Sequence, residues 1–448
     1  MKKLNLTLLI TLLMAGQITA QTVKLDNGVA RMDISLSGGI ITRMSLNAID
    51  LNPIHQYGHF ICFDRWGPSS AADQALGIPW HGNGSKVTWT VLQEPTLNEG
   101  QYYTELSCLL PVLNLSMNRK IYLNQQSSVF KVEEEITNLN DGPKVYNLVQ
   151  HPTIGAPFLD ESTIVDTQAD SGFSQTGPLP PSPADVFTWP EAMLDGDLTD
   201  MRYLAGDHSW SSAVVSFILD EKEAYRWVTA LNPSLNLMIG YLWPSADYPW
   251  LNLWWNLKNA VPFARGLEFG STGLHQTWPE LLAMDSIFGK QLYTELEAGE
   301  KDLKSYYAFL TEIPSDYQGV ESVTLEGDSI LVNEYGKDPS RSIHLNIQAL
   351  TTSDKQTVSG NGSELQLKNY PNPFSGETVI DYSLSSGSHV CIEVFNQLGQ
   401  TVSMLVDEYR EKGEHQVSFM AAGLPGGVYL CQLSAGDQQK QQKMIIQN

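Results

Sequence analysis

The chain is poor in cysteine, in positive charge and in apolar runs long enough to cross a bilayer. Its 448 residues hold four cysteines, Cys62, Cys108, Cys391 and Cys431, and none stands in a CxxC spacing. That spacing argues against a thiolate zinc site or a dithiol redox pair. Cys391 and Cys431 fall on strand-like runs close to the C-terminus, so in an exported chain they are candidates for a bridge, the alternative being two small buried thiols. Lys and Arg number 27 against 50 Asp and Glu, a formal net charge of −23. Such a surface repels nucleic acid, anionic lipid and phosphorylated substrates, and directs attention to neutral partners. Glycine-rich phosphate cradles are missing as well, so no nucleotide, and no other cofactor or metal, is expected. The most extended apolar run, residues 4–14, follows Lys2 and Lys3 and precedes Ile18-Thr19-Ala20. It reads as a secretory signal peptide over residues 1–20, too short to span a membrane, with a soluble mature chain from Gln21.

What is present is β-patterned. Hydrophobic residues make up 42% and charged residues 17%, a balance that supports packed cores, and the length calls for two or three folded units. In "RMDISLS" Met32, Ile34 and Leu36 alternate with Arg31, Asp33 and Ser35; in "FKVEEEI" Phe130, Val132 and Ile136 alternate with Lys131, Glu133 and Glu135. Period-two alternation marks half-buried strands, and no long amphipathic helix competes with it. The fold class is therefore all-β: a large sandwich over 21–315, a small β appendage over 316–350, a polar linker over 351–366, and a small sandwich over 367–448.

The last segment carries YPNPF, VFNQLGQ and LPGGVYLCQL in that order and ends on a Lys-plus-apolar strand, QKMIIQN. Together these resemble the type A sorting domain of the type IX secretion system. The resemblance implies an address: passage through the periplasm and outer membrane to the cell surface or exterior, with the type IX machinery as a partner. It is silent on activity.

Three residues in the first segment could carry chemistry. His151 closes the run "VYNLVQ" and is followed by Pro152, Gly155 and Pro157, which are expected to stop the strand and hold the imidazole at a sheet rim. With an unperturbed pKa of roughly 6.5 it could exchange protons at neutral pH, or it could be a hydrogen-bonded structural histidine. His81 lies between Trp80 and Gly82, where a ligand or a second backbone could approach closely. Glu268, in "ARGLEFG", is either a buried carboxylate with a raised pKa or a solvent-facing strand residue. A cluster of tryptophans at 243, 250, 254 and 255 offers flat faces for the apolar side of a pyranose, although alternation must turn some of them to the core. His55, His59, His208 and His275 stand in no motif and are read as structural.

In this order, "WHG", "HP" and "GLEFG", with "SLSGGIITRMSL" and "NRKIYLNQQSSVFKVEEEITNLN" as framework, are similar to the aldose 1-epimerase (galactose mutarotase-like) superfamily. The resemblance spans residues 23–311. It implies a β-supersandwich whose cleft binds a neutral sugar or the reducing end of an oligosaccharide and interconverts its anomers. Glu268 would be the general base, His151 the general acid and His81 the second histidine at the ring oxygen. Arg65 matches the family's sugar-binding arginine, or pairs with Asp64 or another carboxylate; Trp80, Trp250 and Trp254 are the aromatic candidates to bind substrate. Thr153-Ile154-Gly155 follow His-Pro where the family usually has an aromatic, and Phe269-Gly270 follow the glutamate where it commonly has Thr and Gln. A sugar-contacting aspartate has no matching motif; Asp247 is the nearest. The sugar's identity is therefore open, as are two other readings: a non-catalytic sugar-binding protein, and a lyase or isomerase on the same fold.

Overall fold

The computed structural model describes residues 21–194, 196–203, 211–219, 223–259, 261–336, 338–348, 350, 366–372, 374–384, 387–396, 401–435 and 438–446. The expected signal peptide, nearly all of the linker and His208 lie outside the described residues. The chain divides into two units, Met1–Ser353 and Asp354–Asn448.

Among the described residues of the first unit, an 11-stranded sheet packs on an 8-stranded sheet. Alternation dictates what lies between them. Met32, Ile61, Leu148, Leu253 and Leu267 of the larger sheet meet Ile121, Val132, Ile239 and Leu310 of the smaller one in a single apolar core. Each such side chain stabilises the fold by about 1.5–3 kcal/mol. Glu134 shares the inward parity of Phe130, Val132 and Ile136 and is 1% exposed. It is tolerated there because Arg119 Nε donates to it at 2.8 Å, Gln150 Nε2 at 2.7 Å and the Tyr248 hydroxyl at 3.2 Å, so the buried charge is paired and saturated.

The appendage forms its own three-stranded sheet from Val320–Glu326, Ser329–Glu334 and Ile343–Asn346. Val323, Ile330 and Val332 pack on Trp227, Met238, Leu242 and Phe309, covering the outer face of the 8-stranded sheet. The first unit is an all-β supersandwich.

The centre of the 11-stranded sheet runs in the order Ile54–Asp64, Lys144–Gly155, Val261–Gly270, Trp250–Lys258 and Ser212–Ile218. One expectation is corrected here. The strand does not stop at His151 but continues through Pro152 to Gly155. Its pairing with Val261–Gly270 passes from Gln150 to Thr153, and the missing N–H of Pro152 falls in that gap. His151 therefore sits in the middle of a sheet rather than at its rim.

The second unit contains a three-stranded sheet (Gln366–Tyr370, Glu377–Leu384, Gly413–Met420) and a four-stranded sheet (Thr401–Arg410, Ser388–Phe395, Gly427–Ala435, Gln438–Ile446). They share a core of Ile380, Tyr382, Ile392, Val394, Leu433 and Met444. Cys391 and Cys431 are free thiols, which corrects the suggested bridge. Cys431 pairs with Val394 on the core side, whereas Cys391 lies between the core residues Val390 and Ile392 and so points to the other face.

Candidate active site

The outer face of the 11-stranded sheet holds a cleft of about 650 Å³. At its floor His151 and Glu268 stand side by side on adjacent strands, with His151 Nε2 3.0 Å from Glu268 Oε1. His151 is 5% and Glu268 1% exposed. Phe60, the cross-strand partner of His151, stacks on its ring at 4.2 Å. The other ring nitrogen, Nδ1, is 3.1 Å from Thr153 Oγ1. Gly266 makes room for the carboxylate: a Cβ there would lie 2.6 Å from Glu268 Oε1.

Burial governs the protonation of the pair. It pushes the Glu268 carboxyl well above the usual range, partly offset by the nearby Trp66 indole N–H. It also lowers His151 to about 3. A protonated Glu268 beside a neutral His151 and a carboxylate beside an imidazolium contain the same single proton, so the pair behaves as one site with two internal arrangements. Glu268 Oε2 has no hydrogen-bond partner among the described residues and is free to accept one.

The segment after Asp64 folds over this floor and brings in Trp66, Pro79, Trp80, His81, Ser85 and Lys86. His81 adopts a left-handed φ of 64°. Its N–H donates to the Gly67 carbonyl at 3.0 Å, and the Gly67 N–H donates back to its Nδ1 at 3.3 Å. With Nδ1 accepting, the proton of a neutral ring is on Nε2. The ring is neutral, because burial and then the neighbouring His151 and His275 hold its pKa well below normal. Trp80 is 54% exposed and forms one wall. Trp254 forms part of the opposite wall, its ring 6.0 Å from that of His151.

Two expected binding residues are elsewhere. Arg65 is 2% exposed and turned away from the cleft; its Nε and NH2 donate to Asp64 Oδ2 at 3.1 and 3.0 Å, and NH1 pairs with Asp73. The positive φ of Asp64 turns the chain there, so Arg65 clamps the base of the segment instead of meeting a ligand. Burial, against the pull of Arg65, holds Asp64 at about 6. Trp250 is on the cleft side of its strand but roofed over by Phe173, Leu274, Leu281 and Leu292, and its indole donates to the Gln291 carbonyl at 3.0 Å. Trp243 and Trp255 are core residues. Asp247 accepts from Ser305 N at 2.8 Å and does not line the cleft.

Sequence reasoning missed His275, Tyr57, Phe60 and Trp66, all of which line the cleft. His275 lies 5.1 Å from His81 and 5.0 Å from Trp80, ring to ring, and burial lowers it to about 4. Its position only seven residues beyond Glu268 was the available signal. Among the described residues, no group of three His, Cys, Asp or Glu side chains is arranged to hold a metal ion.

In the second unit, Tyr370 of YPNPF ends the Gln366–Tyr370 strand, Val394 and Phe395 of VFNQLGQ end Ser388–Phe395, and LPGGVYLCQL enters Gly427–Ala435, which pairs along its length with Gln438–Ile446. The described residues of the four motifs thus belong to one small sandwich. Residues 368–447 match the secretion system C-terminal sorting domain. The sorting domain directs the chain by type IX secretion to the cell surface or exterior. No helix among the described residues is long and apolar enough to cross a membrane.

No curated protein matches the chain. Among solved structures it is similar to a galactose mutarotase-like protein from Clostridium acetobutylicum, at 11% identity over 66% of this chain and 96% of that one, with a TM-score of 0.49. It is also similar to a galactose mutarotase-like protein from Lactobacillus casei, at 15% identity over 65% and 100%, TM-score 0.46. A galactose mutarotase related enzyme from Lactobacillus acidophilus is similar at 11% identity over 68% and 100%, TM-score 0.46. Likeness at this level assigns no residue, and the site's chemistry rests on its own geometry.

Proposed function

We propose that the first unit binds a neutral sugar, or the reducing end of an oligosaccharide, and interconverts its anomers by general acid–base catalysis. The observation that carries this reading is the Glu268–His151 pair: two buried titratable groups 3.0 Å apart at the floor of an aromatic-walled cleft. A hemiacetal needs both roles within one short span, since its O1 must lose a proton while its ring oxygen gains one.

The anomeric hydroxyl donates to Glu268 Oε2, and the proton of the pair is held on His151 Nε2. Glu268 then takes the O1 proton as the O1–C1 double bond forms. The bond from C1 to the ring oxygen breaks, and that oxygen receives the proton from His151. His81 Nε2–H donates to the same oxygen as charge grows there. Rotation about C1–C2 and closure from the other face run the steps in reverse, so the pair ends as it began. Burial favours the uncharged arrangement of the free pair; a hydroxyl donating to Glu268 supports the ionised one, so the bound sugar itself brings base and acid into being.

The test is anomer exchange by saturation-transfer NMR across a panel of reducing sugars, with wild type and Glu268→Gln compared. Wild type should accelerate exchange for at least one sugar, and Glu268→Gln should lose about 10²–10⁴-fold of that rate. Sugar resonances that broaden with no exchange in wild type would make the cleft a receptor and remove the catalytic assignment.

A further inference from the structure

The strand Ile54–Asp64 is interrupted beside the cleft by a bulge. Ile54 pairs with Ile154 and His59 with Pro152, so four residues, 55–58, stand opposite the single residue Thr153. A bulge of this size re-aims side chains, and of the two it leaves exposed, Gln56 and Tyr57, the aromatic Tyr57 is 46% exposed at the edge of the cleft.

The bulge is firmly built. Gly58 has φ 79°, and a Cβ on it would meet Ile40 Cγ2 at 2.2 Å. The Tyr57 N–H donates to His55 Nδ1 at 3.2 Å. The His55 ring fits because Gly155 has no Cβ, which would otherwise lie 2.4 Å from its Cδ2. His55 and Phe263 then meet the Tyr57 ring edge-on at 4.4 and 6.2 Å. Three supports converge on one exposed ring.

That ring extends the wall away from the proton pair. Trp254 lies 6.0 Å from His151, and Tyr57 is stacked with Trp254 at 6.5 Å and 30° between planes. Tyr57 is thus one ring further from Glu268 and His151 than the wall a monosaccharide would use.

We propose that the bulge at 55–58 is an outer subsite, on which Tyr57 and Trp254 stack the second ring of an oligosaccharide whose reducing-end ring lies over Glu268 and His151. This rests on the sugar-cleft reading and narrows its two substrate classes to oligosaccharides. An aromatic face suits this role because it contacts the apolar side of a pyranose while leaving its hydroxyls in water.

The experiment is calorimetric titration of the full chain with matched pairs: glucose against cellotriose and maltotriose, galactose against β-1,4-galactotriose, xylose against xylotriose, and mannose against mannotriose. Wild type should bind at least one trisaccharide more tightly than its monosaccharide. Tyr57→Ala should reduce that preference by roughly three- to tenfold, and Tyr57→Phe, which keeps the face, should retain it. Equal affinities within every pair, or a preference unchanged in Tyr57→Ala, would overturn the assignment. Anomer exchange measured on the same samples separates the two readings. Preference without exchange removes the catalytic reading and leaves the subsite; exchange without preference does the reverse.

Discussion

Adding one methyl group at Gly266 tests whether the proton pair depends on its geometry. The Cβ of Gly266→Ala would lie 2.6 Å from Glu268 Oε1 and 3.2 Å from the Trp254 Cβ. Carbon and oxygen need about 3.5 Å, so the carboxylate must retreat by roughly 1 Å. The 3.0 Å contact with His151 Nε2 then loses its geometry, and roughly 1 Å of lengthening would take it beyond hydrogen-bond reach. A displacement of that size costs on the order of 10²-fold in rate. Stability moves less. A buried carboxyl losing its partner costs about 1–3 kcal/mol, while replacing Gly at an ordinary strand φ recovers about 0.4–1 kcal/mol from the unfolded chain. The net loss is roughly 0–2.6 kcal/mol. Saturation-transfer NMR reads the rate. Tryptophan fluorescence reads the fold of the first unit alone, because all 11 tryptophans lie between residues 66 and 278. Wild-type turnover in a folded Gly266→Ala protein would refute the claim that contact between Glu268 and His151 matters to the chemistry.

Two further outcomes follow from the buried charges. The pH–rate profile should show no acid limb in the usual histidine range: that limb falls near pH 3, where His151 takes a second proton, and the alkaline limb is displaced upward from the usual carboxylate range, where Glu268 gives up the one the pair needs. An acid limb near pH 6.5 in exchange kinetics would mean that His151 is solvated. Arg65→Met should lower the stability of the first unit by about 3–5 kcal/mol at pH 8, since it strands the buried Asp64 carboxylate. Asp64 already sits at about 6, above its unfolded value, so its stability contribution is greatest at low pH and is lost as pH rises through the folded value. The loss measured by urea unfolding should therefore be smaller at pH 5 than at pH 8; an equal loss at both would argue against a buried Asp64.

Much of the fold could be read from the sequence because it rests on local alternation. Phe130, Val132 and Ile136 announce which way their strand faces, and the structure follows them. Residues that act through contacts distant in sequence were harder to read. The parity of Trp250 is right for the cleft, but the segment roofing it, from Leu274 to Leu292, is remote from its own motif. Arg65 could have met a sugar or paired with Asp64 or another carboxylate; only the turn at Asp64 and the position of Asp73 decide for the pairing. Pro152 suggested a strand end, since a missing N–H usually breaks a ladder, and nothing local reveals the gap in pairing that accommodates it. Tyr57 escaped notice because a bulge is a difference between two strands, visible in neither one alone.

The arrangement of the cleft also separates two kinds of change. The proton pair belongs to the two strands at the heart of the larger sheet, where any shift disturbs the core beneath. Tyr57, Phe60, Trp66, Trp80, His81 and Lys86 all come from one continuous stretch, residues 54–86. Beyond its strand, that stretch is pinned at its base by Arg65. Exchanging Tyr57, Trp80 or Lys86 within it would change the walls that this stretch supplies while Glu268, His151 and His81 stay in place, and the wall at Trp254 comes from another strand.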